Sequence, residues 1–84
     1  MEYYLLDVKR TVNANGVDIP FDYINTYYAP YEAIKEARFL AMNDEVLQVS
    51  VHRWFVNEKG RHVHADGDGS ILYRYEKRDS NLKD

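Results

Sequence analysis

The sequence predicts an α+β fold in which one helix packs on one face of a mainly antiparallel sheet of four strands, or five if an early hairpin forms. Apolar and polar side chains alternate over 46–56, and this two-residue period is typical of a half-buried strand. Turn signals at 57–60 and 66–70 follow it, which predicts a three-strand meander over 45–75. An alanine-rich segment with helical spacing, about 30–43, precedes the meander. The expected order along the chain is therefore β(β)αβββ.

The first strand is predicted over residues 2–10. Its inner side chains are expected to be Tyr4, Leu6 and Val8, and its outer ones Tyr3, Leu5, Asp7 and Lys9. A turn signal at 13–16 allows a short return strand over 17–19, which Pro20 should stop because proline cannot donate to a ladder. Residues 20–29 are aromatic but show no clear period. We therefore expect an irregular segment there that folds over one end of the core.

The helix is predicted to begin at Pro30, since a proline at the first helical position loses no intrahelical hydrogen bond. One stripe at helical spacing should face the sheet, and it consists of Ala33, Ile34, Ala37, Leu40 and Ala41. Phe39 and Met42 fall outside this stripe. The irregular segment is expected to cover them; if it does not, they are candidates for an interface.

The turn at 57–60 sets the register of the meander, because a three-residue loop with Gly60 in the left-handed conformation fixes the pairs beside it. It places Trp54 opposite His64, Val56 opposite His62, and Phe55 opposite Val63. The second turn is expected to pair Ala65 with Ile71 and Val63 with Tyr73. The inner face of the meander should then carry Leu47, Val49, Val51, Phe55, Val63, Ala65, Ile71, Tyr73 and Tyr75.

Length and composition limit the class of protein. A chain of 84 residues predicts one domain, residues 1–76, followed by a polar tail, residues 77–84. The chain has no cysteine, which excludes disulfides and thiol chemistry and suits a reducing compartment. It has no signal peptide and no apolar run of the ~20 residues that a membrane helix needs. We expect a cytoplasmic location without membrane contact.

The outer face of the meander is the predicted working surface. Its candidate binding residues are His52, Trp54, Val56, His62, His64, Leu72 and Arg74, and the aromatic segment before the helix adds Tyr27 and Tyr28. Large aromatic side chains with one polar atom are favoured in protein interfaces. The sequence therefore predicts a small binding protein whose partner is another protein or a second copy of itself.

The residues of this face also allow two other uses. Three imidazoles on adjacent strands, from His52, His62 and His64, could hold zinc. Trp54 with histidines and Arg74 could stack nucleic-acid bases, although a net charge of −3 opposes nucleic-acid binding. No nucleophile, phosphate loop or paired carboxylates stand out, and a domain of this size has little volume for a substrate pocket. We expect neither an enzyme nor a bound cofactor.

The chain also resembles the small inhibitors encoded by bacteriophages and mobile elements. The similarity is one of size, acidity, lack of cysteine and compact architecture, and it covers no residue motif. It implies that the bound protein would be inhibited.

Overall fold

The computed structural model describes residues 1–78 and contains five strands and one helix. The elements are β1 (Glu2–Ala14), β2 (Val17–Tyr27), α1 (Pro30–Ala41), β3 (Val46–Val56), β4 (His62–His64) and β5 (Ile71–Glu76). All strands join one antiparallel sheet with the order β2-β1-β3-β4, and β5 also pairs with β3. The α+β prediction and its order of elements are confirmed.

The predicted tail begins at Lys77, whose backbone N–H donates to the carbonyl of Leu47 at 2.8 Å. This bond extends the ladder of β5 by one residue. The rest of the predicted tail, from residue 79 onward, falls outside the described residues. Within the described part of the chain, no helix combines the length and apolarity needed to span a bilayer.

β1 and β2 form a long hairpin closed by Asn15 and Gly16. Their φ angles are +54° and +84°, and a two-residue turn with both φ positive matches the twist of the strands. The prediction of a short strand over 17–19 followed by an irregular segment is wrong, because β2 continues through Pro20 to Tyr27.

Pro20 is tolerated because β2 is the edge strand of the sheet. Thr11, which lies opposite Pro20, donates its N–H in the other direction, to the carbonyl of Glu45 at 2.9 Å. The backbone nitrogen of Pro20 therefore faces the free edge, where a missing N–H breaks no ladder bond. All residues of β2 except Tyr23 and Tyr27 are exposed, although apolar and polar residues alternate over 17–23.

The core lies between α1 and the inner face of the sheet. Its buried members are Tyr4, Leu6, Val8, Ala33, Ala37, Leu40, Val46, Val49 and Val51. The predicted inner face of β1 and most of the helical stripe are thus confirmed. The expectation that Phe39 and Met42 are covered is wrong, since they are 67% and 80% exposed. The segment expected to cover them is the strand β2, which lies in the sheet and not over the helix.

The predicted meander is only half correct. β4 pairs with the C-terminal end of β3 in the expected register, with Trp54 opposite His64 and Val56 opposite His62. β5, however, pairs with β3 and not with β4, so that Tyr73 lies opposite Val51. The predicted pairs of Ala65 with Ile71 and of Val63 with Tyr73 are therefore wrong.

The physical reason is that β4 and β5 lie end to end along one edge of β3. The chain leaves and rejoins that edge at Arg53, which accepts a bond from the N–H of Ala65 at 2.9 Å and donates its own N–H to Ser70 at 2.8 Å. Residues 66–70 loop out between these two bonds. β4 spans only three residues, and β5 satisfies the backbone groups of β3 that β4 leaves open.

A bulge in β3 changes the direction in which the Leu47 side chain points. The register between β1 and β3 shifts at this point, since Lys9 lies opposite Gln48 and Arg10 opposite Val46. The extra residue in β3 is Leu47, which is exposed, while Val46 is fully buried. The prediction of Leu47 as an inner residue is wrong, because the two-residue alternation of β3 begins only after the bulge.

Candidate binding site on the outer sheet face

The outer face is the side of the sheet away from α1, and its centre is built by β1, β3 and β4. Tyr3, Trp54 and His64 lie opposite one another across these three strands. Leu5 and His52 form the neighbouring row. Side chains that alternate along a strand share a face, so this register collects the aromatic and imidazole groups into one patch.

A directional chain of hydrogen bonds holds the two central histidines. His64 Nδ1 lies 2.6 Å from the carbonyl oxygen of Ala65, and His64 Nε2 lies 3.0 Å from His52 Nδ1. His52 Nε2 in turn lies 2.9 Å from Ser50 Oγ. A carbonyl oxygen can only accept, so His64 carries its proton on Nδ1. With neutral rings, His52 Nδ1–H then donates to His64 Nε2, and the Ser50 hydroxyl donates to His52 Nε2.

Burial keeps His52 neutral. It lowers the pKa of His52 below its ordinary value of 6.5, and His64 and Arg74 act in the same direction, while Asp7 opposes them. The gap of 3.0 Å between the two rings holds one hydrogen, so a proton on both nitrogens would set two N–H groups against each other.

Edge-to-face contacts fix the surrounding rings. The centroids of Trp54 and His64 are 5.3 Å apart with an interplanar angle of 78°. Tyr3 contacts His62 in the same manner at 5.6 Å, and its hydroxyl lies 2.7 Å from His62 Nδ1. Although Tyr3 lies on the outer face, it is only 8% exposed. These contacts limit the rotamers of the whole patch.

Tyr3 is a member of this site that sequence reasoning missed. Its outward direction was predicted, but its place beside Trp54 depends on the pairing of β1 with β3. The strand pattern of residues 2–10 alone does not specify that pairing. The signal that could have placed Tyr3 in the predicted site was an aromatic ring at an outward-facing position of the first strand.

The structure brings together most of the predicted site residues. His52, Trp54, Val56, His62 and His64 form the patch, and Tyr28 joins its rim in a depression that also includes Tyr3, Val56 and His62. A second depression of about 220 Å³ is lined by Leu5, Asp7, Ile24, His52, Trp54 and His64. Arg74 is exposed and lies opposite Ser50 at the far edge.

Two predicted residues lie elsewhere. Tyr27 lies opposite Tyr4 and packs against the core on the inner side. Leu72 also packs against the core, because the register between β3 and β5 skips it, pairing Val51 with Tyr73 and His52 with Ile71. The bulge turns Leu72 inward, and Ile71, which was predicted to face inward, is exposed.

The three-imidazole zinc site is not assembled. His52 and His64 bond to each other, while His62 bonds to Tyr3. Over residues 1–78, no group of three or more His, Cys, Asp or Glu residues is placed to hold a metal ion. Predicting the shared face correctly was not enough, since the rings turn toward different partners.

The hydrogen bond between Ser50 Oγ and His52 Nε2 fixes the orientation of the imidazole ring. Ser50 is buried in the sheet, between Asp7 on β1 and Arg74 on β5.

Comparison with known proteins gives no match to a family model, to a curated protein or to a solved structure. The functional interpretation therefore depends on the geometry of the outer face.

Proposed function

We propose that this protein is a small non-enzymatic binding protein that acts by binding another protein through the outer face. The observation that carries the proposal is Trp54, which is half-buried on the outer face and held by an edge contact with His64, beside the buried Tyr3 that bonds to His62. Rings that are already fixed lose little conformational freedom on binding. Binding energy in protein interfaces is concentrated on such tryptophan and tyrosine side chains.

The charges around the patch also support a protein partner. Asp7 and Arg74 flank its centre with opposite signs, and the chain has a net charge of −3. A polar rim of mixed charge around an aromatic centre is the common arrangement of protein interfaces. Nucleic-acid surfaces are instead dominated by one positive sign.

Inhibition is the proposed consequence of binding. The chain has the size, acidity and architecture of the small inhibitors encoded by bacteriophages and mobile elements. A one-domain protein that covers a functional surface of its partner needs no chemistry of its own.

The experiment is affinity capture from the native cell extract with the unmodified protein, the Trp54→Ala variant and the Met42→Ala variant. Met42 is a matched control because it is a large exposed apolar residue on the helix side. We expect one protein to be retained by the unmodified protein and by Met42→Ala but lost with Trp54→Ala. Titration calorimetry on that pair should then show a loss of about 30-fold or more in affinity, as for a central tryptophan worth about 2 kcal/mol.

The proposal fails if both variants retain the same set of proteins. It is also overturned if single-stranded DNA or RNA binds at low salt and Trp54→Ala abolishes that binding, because the patch would then serve as a base-stacking surface.

A further inference from the structure

Within residues 1–78, β2 pairs only with β1, so its other edge carries backbone groups with no strand partner there. The backbone N–H of Thr11 points toward β3. The backbone N–H and C=O groups of its neighbours Arg10 and Val12 therefore point toward β2, and this direction alternates along β1. In β2, the residues opposite Thr11, Lys9, Asp7 and Leu5 then turn their N–H and C=O groups to the free edge. They are Pro20, Asp22, Ile24 and Thr26. Asp22, Ile24 and Thr26 each have a backbone N–H that can donate and a C=O that can accept, whereas Pro20 has only the C=O.

The distal part of the same hairpin carries an uncovered apolar face. α1 has 12 residues and spans ~18 Å, whereas β1 has 13 residues and spans ~43 Å. The helix therefore leaves the hairpin beyond Arg10 uncovered. On the inner face of this arm, Val17, Ile19 and Phe21 are 48% to 60% exposed.

A groove lies between the other end of β2 and the helix. It is lined by Tyr27, Tyr31, Glu32, Lys35, Glu36 and Phe39. Tyr31 and Phe39 are largely exposed. The chain thus carries an apolar arm at one end of β2 and an aromatic groove on the same inner side at the other end.

We propose that two copies of this chain pair through their β2 edges, antiparallel, with Ile24 at the two-fold axis. In this register Asp22 lies opposite Thr26 of the second copy, and Ile24 lies opposite its own counterpart. The free groups of these three residues form six backbone hydrogen bonds. Pro20 lies outside the paired segment, so its missing N–H costs nothing.

The same register brings each arm to the groove of the other copy. Phe21 lies opposite Tyr27 of the second copy, and Tyr27 lines the groove. Because the axis is two-fold, the contact occurs twice. The apolar arm and the aromatic groove lie at opposite ends of the same strand and on the same inner side, so two-fold pairing of β2 brings each arm toward a groove. A second copy is therefore the occupant that we infer. A register centred on Asp22 would set two aspartates against each other and is disfavoured.

The area is sufficient for a stable pair. Phe21, Tyr31 and Phe39 are between 52% and 73% exposed, which amounts to ~300–500 Å² of aromatic surface on each copy. Val17, Ile19, Ile24 and the β2 backbone bring the total toward the ~800 Å² per partner of a standard interface.

The first test is sedimentation equilibrium of the purified unmodified protein, of Ile24→Lys and of Ile71→Lys. Ile71 is the control because it is an exposed isoleucine on β5, at the opposite edge of the sheet. We expect the unmodified protein and Ile71→Lys to be dimers at about 100 µM. Two lysines at the axis should weaken association of Ile24→Lys at least tenfold. A monomeric unmodified protein at this concentration, or equal association of the two variants, overturns the proposal.

The second test covers the case in which Ile24→Lys fails to fold. The chain has no cysteine, so Ile24→Cys introduces one thiol, and two such residues at the axis have Cα atoms ~5.5 Å apart. That separation permits a disulfide. Under mild oxidation Ile24→Cys should cross-link to a dimer at least ten times faster than Ile71→Cys. Equal rates overturn the proposal. Both tests use the purified protein alone, so failure to find an outer-face partner leaves their result unaffected.

Discussion

Lowering the pH below 6.5 should destabilise the fold through His52. Burial lowers the pKa of His52 in the folded chain, and the unfolded chain titrates at the ordinary value of 6.5. Below that value the unfolded chain binds a proton that the folded chain resists. Stability is therefore complete above about pH 6.5, falls as the pH decreases, and stops falling below the lowered folded pKa.

The structure sets an upper limit on this effect. A difference of one proton between the states gives a slope of at most about 1.4 kcal/mol per pH unit. For a domain of this size that slope lowers the Tm by about 5–10 °C per pH unit.

The assay is thermal unfolding followed by circular dichroism between about pH 5.5 and 7.5, on the unmodified protein and on His52→Gln. Glutamine keeps a polar group at this position but does not titrate. The Tm of His52→Gln should change much less with pH than that of the unmodified protein. Equal slopes would refute the assignment of the effect to His52. Trp54 is the single tryptophan of the chain and lies 5.3 Å from His64, so its fluorescence offers an independent readout of the pair.

Three further variants test the packing, each measured as a change in the free energy of unfolding in urea. Leu6→Ala should cost about 2–5 kcal/mol because Leu6 is fully buried in the core; a cost under about 1 kcal/mol would contradict its central position. Tyr3→Phe should cost about 1 kcal/mol, the value of its hydroxyl bond to His62 at 2.7 Å, and no change would mean that this bond does not stabilise the patch. Gly60→Ala should cost about 1–2 kcal/mol because Gly60 has φ +77°; an unchanged midpoint would exclude the left-handed turn.

The sequence predicted the parts of the fold that local physics decides. The alternation along β3 and the turn at Gly60 fixed the register of Trp54 with His64, because a turn type determines the pairs beside it. The outward direction of Trp54 and the inward direction of Val49 and Val51 follow from the same period. The helix was found from proline at its start and alanines at helical spacing, and it ends at Ala41.

The parts that failed depend on competition between strands. The loop at 66–70 carries the residues of a hairpin turn, and its local chemistry does not distinguish β5 pairing with β4 from β5 pairing with β3. The second arrangement satisfies more of the long edge of β3, a property of the whole sheet. β2 was missed because Pro20 was taken as the end of a strand, whereas an edge strand tolerates a proline whose nitrogen faces away from the ladder. Ile24 and Asn25 also interrupt the alternation of apolar and polar residues. The inward turn of Leu72 follows from a bulge that only the β3–β5 register reveals.

The edge pairing inferred for β2 determines how the outer face is presented. A two-fold axis perpendicular to a sheet leaves the same face of both copies on the same side, so the two Trp54 patches of such a dimer point in one direction. Five strand spacings of ~4.8 Å separate the two β3 strands. Trp54 lies four residues, or ~13 Å, along β3 from the row of the axis, in opposite directions in the two copies, so the two Trp54 patches are ~36 Å apart in a flat sheet. A partner that is itself two-fold or repetitive at that spacing would engage both patches, and the second contact would gain from a high effective concentration. A partner with one site would bind each copy independently. The β2 edge would then set the valency of binding, while Trp54 and its neighbours would set its specificity.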